Sequence, residues 1–419
     1  MTRRRLDFAG TWLVAGAASL CLAALLGLFA LLVACGFAPF WPAPVEELRL
    51  RDGSVLLGEV VGGDAEALVL RAGETDRIGA GYRRVPLDAV AARSRPADAV
   101  LFVLADGRRL FARAAGAEPA VPAAADGAPP REVLAVNALG PFERLGVFAR
   151  RIGRFLATPP LASNLDGGVL PALIGTVVLV LLMSVIVTPF GVATAVYLHE
   201  RTGPGVRAVR TAINTLAGVP AIVYGVLGLG LFVHGIGAGV DRLFHAERLP
   251  LPTFGGGGLL WAALTLALLT LPVVVVSVEE GLARIPASLR AGSLALGATR
   301  EETTWRLLLP AARPAVLTGL VLAVARAAGA VAPLMLVGVV KLAPALPVDA
   351  AYPYLHPSRQ FMHLGFTIYD AALASHDTIR GVPRAYACAL LLVGIVVVLN
   401  LSAILLRNRL RERYRALET

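Results

Sequence analysis

Pro286-Ala287-Ser288-Leu289-Arg290-Ala291-Gly292-Ser293-Leu294-Ala295-Leu296-Gly297-Ala298-Thr299-Arg300-Glu301-Glu302-Thr303-Thr304-Trp305-Arg306-Leu307-Leu308-Leu309-Pro310 is a polar stretch between apolar segments, and its pattern demands folded structure. Glu279 to Ile285 reads as the end of a preceding helix, stopped near Pro286. From Ser288 onward, Leu289, Ser293 and Leu296 recur at helical spacing, and Gly297 follows as a C-terminal cap. Thr299 stands three residues before Glu302, the spacing of a capping box in which each side chain serves the other's backbone N–H. The helix so begun carries Trp305, Leu308 and Leu309 on one side and is expected to end at Pro310. Two short helices turned about Gly297 make a knuckle suited to docking against a partner.

Outward from this loop the chain is apolar. Hydrophobic residues make up 57% and charged residues 16% of the 419 residues, against about 45–50% and about 25% in ordinary globular chains. The deficit of charge is concentrated. Residues 8–45, 167–199, 211–240, 249–278 and 385–406 hold no Asp, Glu, Lys or Arg, and 314–340 holds one, Arg326. A membrane span needs about 20 apolar residues, so six spans fit and a water-soluble enzyme is excluded. The expected fold class is an all-α polytopic membrane protein of six transmembrane helices with a small β-rich insert.

Arg3, Arg4 and Arg5 precede the first apolar run. A cleaved signal peptide is the rival reading, with Leu32-Val33-Ala34-Cys35 resembling a lipoprotein cleavage box. A signal core is about 7–15 residues and this run is longer, which favours a retained anchor with its N-terminus inside. Residues 46–113 change character. Asp52-Gly53 and Asp106-Gly107 lie between short apolar-alternating runs, and Gly62-Gly63-Asp64 supplies another turn, so roughly five short strands are expected. Residues 114–130 read as a linker rich in Ala and Pro. In Pro141–Ala157, Phe142, Leu145, Phe148, Ile152 and Phe155 alternate with Arg144, Arg150, Arg151 and Arg154. That is a basic amphipathic helix expected to lie on the membrane surface, the alternative being a helix packed on the β domain. The expected organisation is a tail and first span (1–39), a periplasmic β-rich insert with linker (40–130), an amphipathic elbow helix (131–165), a five-helix core (166–407) containing the 279–313 loop, and a tail (408–419).

The net charge of +10 records topology better than a nucleic-acid surface. With the N-terminus inside, the inside segments 1–10, 199–210, 279–313 and 407–419 hold 16 arginines, as the positive-inside rule requires. Both termini are then expected in the cytoplasm and the insert outside. Arg326 is the single charge of the fifth span, and an ionisable residue at that depth is functional by default. Gly319, Ala323, Ala330 and Pro333 are read as a small-residue face beside it. Arg326 is therefore expected to offer a positive station on an anion pathway, or else to pair structurally with carbonyls or a partner carboxylate.

Weaker signals are set aside. Gly225, Gly228 and Gly230 lie inside an apolar span with no preceding strand, so helix packing is the reading rather than dinucleotide binding. No Gly-Lys pair exists, so the chain carries no phosphate-binding P-loop. His356, His363 and His376 lack compact metal-ligand spacing, and no metal is expected. Pro220 and Pro272 are expected to kink their spans.

Arg290 to Ala298, continuing to Leu309-Pro310, resembles the EAA loop of ABC-importer permeases. The resemblance implies that Arg290, Ala291, Ser293, Leu296, Gly297, Ala298, Thr299, Glu302 and Pro310 form the loop that couples to an ATPase subunit. Ala291 stands where the motif has its leading Glu. Asn214-Thr215-Leu216-Ala217-Gly218-Val219-Pro220-Ala221-Ile222-Val223-Tyr224-Gly225 and Ala323-Val324-Ala325-Arg326-Ala327-Ala328-Gly329-Ala330-Val331-Ala332-Pro333-Leu334 are similar to the third and fifth spans of the phosphate-importer permease family PstA, in its longer proteobacterial form. That family commonly carries Glu where Ala330 stands here. The resemblance implies an inner-membrane permease for inorganic phosphate that performs no covalent chemistry and binds no cofactor of its own. Arg326 would lie on the substrate pathway, with Asn214, Pro220, Tyr224 and Pro333 lining or kinking it. It further implies a PstC-like second permease, a PstB-like ATPase dimer holding ATP and Mg, and a PstS-like periplasmic phosphate-binding protein. A permease for sulfate or molybdate is the alternative of the same class. A membrane-anchored sensor is the alternative of another class, and it leaves the 279–313 loop unexplained.

Overall fold

The computed structural model describes residues 2–72, 81–104, 109–114, 130–161, 167–248, 250–375 and 377–415. Among them, five helices are long and apolar enough to cross a bilayer: Trp12–Phe40, Leu170–Glu200, Ala221–Phe244, Leu259–Ala283 and Thr378–Leu405. A sixth span exists if the pair Arg300–Ala311 and Arg313–Ala328, bent by 62°, is taken together. The chain divides into two units, Met1–Val169 with Ile368–Leu390, and Leu170–Thr367 with Leu391–Thr419.

The first unit opens with α1 (Thr2–Phe37) and continues into eight strands: β1 (Val45–Leu50), β2 (Val55–Gly63), β3 (Ala67–Arg71), β4 (Tyr82–Pro86), β5 (Val90–Ser94), β6 (Ala99–Leu104), β7 (Arg109–Arg113) and β8 (Pro130–Leu134). The first five form one antiparallel sheet in the order β4-β3-β2-β1-β5, and the others form a second sheet in the order β7-β6-β8. The turn expected at Asp52-Gly53 joins β1 to β2, with Gly53 at φ +84. Asp64 closes the next turn, its Oδ1 accepting the Ala67 N–H at 2.9 Å. Asp106-Gly107 and most of the expected linker lie outside the described residues. Among the described residues, seven strands stand in the stretch where roughly five were expected, and β8 lies beyond it. β4, β5 and β8 are short and mix arginine with small, polar or proline residues, so they lack the apolar alternation that marks a strand. β8 also runs across the expected domain boundary at 130/131 and pairs Leu134 with Leu101. β6, Ala-Val-Leu-Phe-Val-Leu, is apolar on both faces and buries both. Val45, Ala99, Leu101, Leu134 and Val136 pack on one side of it, and Val100, Phe102, Leu104 and Leu110 form a second cluster.

α2 (Pro141–Ala157) follows with the expected bounds. Its Val147 is buried in the Val45–Leu101–Leu134 cluster, and Arg154 donates to Glu132 at 2.8 Å. The helix therefore packs one face on the β unit, the alternative arrangement expected for it. Phe142 nevertheless remains 88% exposed.

The second unit is helical. α3 (Leu170–Glu200) packs along α7 (Leu259–Ala283), which also receives α11 (Arg313–Ala328). Ser277 on α7 donates to the Ala315 carbonyl on α11 at 3.0 Å. Between α3 and α7 the 211–240 stretch is not one span. α4 (Pro204–Gly218) ends at Val219, which is extended (φ −73, ψ 132), and Pro220 caps α5 (Ala221–Leu227). A residue preceding proline is disfavoured in the α region, so the proline breaks the helix where a kink was expected. A π-helical stretch, Gly228–Gly237, then leads into α6 (Ala238–Phe244). By contrast, Pro272 lies inside α7 without interrupting it. The Asp241 carboxylate on α6 accepts the backbone N–H groups of Thr253, Phe254 and Gly255 at 2.7–3.0 Å, anchoring the connection to α7.

Beyond α7 come α8 (Ala287–Ala295), α9 (Arg300–Glu302), α10 (Leu309–Ala311) and α11. The 314–340 stretch is likewise interrupted: α11 stops at Gly329, and only the four-residue α12 (Leu334–Val337) follows Pro333. α13 (Leu364–Tyr369) and α14 (Thr378–Arg415) complete the order of helices.

Candidate functional site

The loop between α7 and α11 folds as its sequence requires. α8 begins after Pro286 and closes in two reversed hydrogen bonds, Gly297 N–H to the Leu294 carbonyl at 3.0 Å and Ala298 N–H to the Ser293 carbonyl at 3.2 Å. This is the Schellman pattern, and it needs the left-handed conformation that Gly297 supplies at φ +90. Thr299 and Glu302 form the expected capping box: Glu302 N–H donates to Thr299 Oγ1 at 3.2 Å, and Thr299 N–H donates to Glu302 Oε2 at 3.0 Å.

Beyond the box the chain departs from expectation. A π turn, Thr303–Leu308, carries the helix through Pro310 to Ala311. The break falls at Ala312, and Pro314 opens α11. The π turn also changes the phase of the side chains, so Leu308 is buried while Trp305 is 60% exposed. The two were expected on one side. Exposed Leu289, Leu296 and Trp305, with Leu296 at 91%, form an apolar knuckle on a polar loop.

One contact ties this knuckle to the bundle, a second joins its two arms, and a third braces the helix ends beside it. Arg290 on α8 makes a salt bridge to Glu200 at the end of α3. Ser293 Oγ and Thr303 Oγ1 lie 2.9 Å apart, joining the two arms. Arg210 on α4 meets Glu279 on α7 at 2.6 Å. The Glu200 and Arg210 partners were not legible in the sequence, since each pair is separated by at least 69 positions and carries no local signal. Ala291 and Ala298 add no polar contact of their own beyond the backbone, Ala291 being exposed.

Arg326 lies in the last turn of α11, where the helix dipole favours a cation. Gly319, Ala323 and Ala327 form a buried stripe on α11, but Arg326 is exposed, as is Leu322 one turn before it. The guanidinium thus points away from the small-residue face rather than along it. Its charge reaches Tyr224 electrostatically. Tyr224 is buried and donates its hydroxyl to the Leu216 carbonyl at 2.5 Å, bridging the break that Pro220 makes. Pro333 packs so closely on α5 that a Cβ at Gly225 would sit 2.7 Å from the Pro333 Cα. Pro220, Tyr224, Gly225 and Pro333 therefore form one neighbourhood near Arg326, while Asn214 is an exposed residue of α4 before that break.

Of the histidines, His356 Nε2 lies 2.9 Å from Asp349 Oδ1, and His363 is fully buried; His376 is outside the described residues. Burial lowers the His363 pKa to about 4, keeping it neutral.

Residues 187–416 match the family of binding-protein-dependent transport system inner membrane components, a range that takes in the knuckle, the Pro220 break and Arg326. The chain is 35% identical over 194 residues to the probable ABC transporter permease protein YqgH of Bacillus subtilis, covering 46% of this chain and 59% of that one. It is 32% identical over 249 residues to the phosphate transport system permease protein PstA 1 of Mycobacterium tuberculosis, covering 59% and 73%. It is also 32% identical over 254 residues to the phosphate transport system permease protein PstC of Xylella fastidiosa, covering 58% and 73%. With more than half of its length matched and its spans and loop in place, the chain belongs to the family of binding-protein-dependent transport system inner membrane components.

Proposed function

We propose that this chain is a permease subunit of an ATP-driven importer of inorganic phosphate, in the inner membrane and with both termini cytoplasmic. The observation that carries the reading is the rigid knuckle at 287–311. It joins the ends of α7 and α11, is braced by Arg290–Glu200, and presents Leu289, Leu296 and Trp305 outward. A loop of that build transmits the motion of a docked partner into two spanning helices at once. The partner in this reading is an ATPase dimer holding ATP and Mg. A PstC-like second permease and a PstS-like phosphate-binding protein complete the assembly. The chain itself binds no cofactor and catalyses no reaction.

Phosphate as substrate is supported by the likeness to PstA 1 and PstC and by one exposed arginine at the end of a spanning helix. An arginine exposed on a single chain is open to water, lipid or another protein. A pathway formed between two permease subunits places Arg326 against the passing oxyanion, which guanidinium hydrogen-bonds in a bidentate manner. Uptake of labelled phosphate by cells lacking this chain tests the reading. Loss of uptake, restored by the intact chain and competed by arsenate but not sulfate, is the expected result. Competition by sulfate or molybdate would instead assign the permease to another oxyanion.

A further inference from the structure

The first unit contains a cavity of about 610 Å³ that the transport reading does not use. Its walls come from the end of α1, from β2, β3, β6, β7 and β8, from α2, and from the first turns of α14. Among the described residues, seven arginines and two carboxylates line it, and with Arg380 paired to Asp377 at 3.1 Å an excess of four positive charges remains in one hollow. Glu59 is shared by Arg71 at 3.5 Å and Arg109 at 2.8 Å, and Glu132 is held by Arg154. Both lining carboxylates are thus already engaged. Among the described residues none lies within ion-pair distance of Arg151, although Arg109, Arg154, Glu59 and Glu132 all act on it electrostatically. Burial and the neighbouring Arg109 disfavour its charge, which a bound anion would relieve.

Guanidinium groups in such number suit an oxyanion with several acceptor oxygens. The size and the remaining walls narrow the choice. A water molecule occupies roughly 30 Å³, so a lone phosphate would leave most of the cavity empty. Phe40, Trp41, Val61, Phe155 and Val382 give it an apolar side. Moreover, it is lined by the final turn of one apolar spanning helix and the first turns of another, where lipid is at hand. Guanidinium groups placed beside spanning helices can make charge-assisted, bidentate hydrogen bonds to the phosphate of a lipid head group. We propose that this cavity seats the phosphate group of an anionic phospholipid, with Arg151 and Arg131 recognising its oxygens and the apolar wall receiving its glycerol and upper acyl chain.

The test uses the full chain in nanodiscs of equimolar phosphatidylcholine and phosphatidylglycerol, with retained lipid read by native mass spectrometry. The intact chain is expected to retain phosphatidylglycerol preferentially. The double variant Arg131→Gln/Arg151→Gln should lose that preference by roughly tenfold, as removal of charge-assisted contacts implies. A preference that is absent, or equal in the variant, would overturn the proposal. Inorganic phosphate is titrated calorimetrically into discs of pure phosphatidylcholine. Binding there that the double variant abolishes would replace the lipid with a free oxyanion. Should the double variant fold poorly, Glu132→Gln gives the opposite arm: releasing Arg154 should strengthen phosphatidylglycerol retention, and unchanged or weaker retention counts against the site. None of these readouts involves transport, so their failure leaves the importer reading untouched.

Discussion

Arg326 ends α11 on its exposed side, and the sequence alone does not reveal that orientation. Composition singles the residue out as the lone charge of its span, but its direction depends on which face of α11 meets α7, a contact between distant segments. Replacing Arg326 with Gln is expected to lower phosphate uptake by roughly tenfold or more, the scale of a lost charge-assisted contact. Co-purification with the partner subunits should be unchanged, and normal uptake with normal assembly would remove Arg326 from the pathway. A second residue, Asp349, acts on structure instead. Hydrogen bonds from Arg359, from the Ala351 N–H and from His356 pull its carboxyl down to about 2. A depressed carboxyl stabilises the fold above its unfolded value, about 3.9, and that contribution is lost as pH falls through the folded value. The 346–359 segment should therefore hold its amide protection down to about pH 4 and lose it towards pH 2. Asp349→Asn should show the loss already at neutral pH, measured by hydrogen exchange.

At the scale of elements, the knuckle was the most legible part of the chain. Gly297 and the Thr299–Glu302 pair act through bonds within a few residues, so their spacing carries the whole signal. Pro310 misled because its effect depends on the preceding turn, and a π turn there lets the helix continue. Pro220, by contrast, sits after an extended Val219 and breaks its stretch outright. The strands were legible only where apolar residues alternate or run together, as in β6. β8, with Arg131 and Glu132, is held by its pairing with β6 instead. Two outcomes test the knuckle. Gly297→Ala forces a side chain into the left-handed region at a cost of about 1–2 kcal/mol, and it should reduce uptake while leaving membrane insertion intact. Leu296→Glu places a charge on a residue that makes little contact within its own chain. It should abolish ATPase capture in a pull-down without altering the thermal midpoint of the permease itself.

At the scale of the whole molecule, charge and hydropathy alone located five spans and a folded insert, while the sixth expected span is a helix pair bent by 62° at 300–328. What they missed was depth of packing: α2 turns one face to the β sheet because Val147 fits the pocket made by Val45, Leu101 and Leu134. The two units divide the labour in this reading, the helical unit moving substrate and the β unit seating an anion. The measurement that bears most directly on the central claim is uptake of labelled phosphate into proteoliposomes holding this chain with its second permease, ATPase and binding protein. The expected result is ATP-dependent accumulation that arsenate inhibits and sulfate does not. Fully assembled vesicles that hydrolyse ATP yet accumulate no phosphate would contradict it.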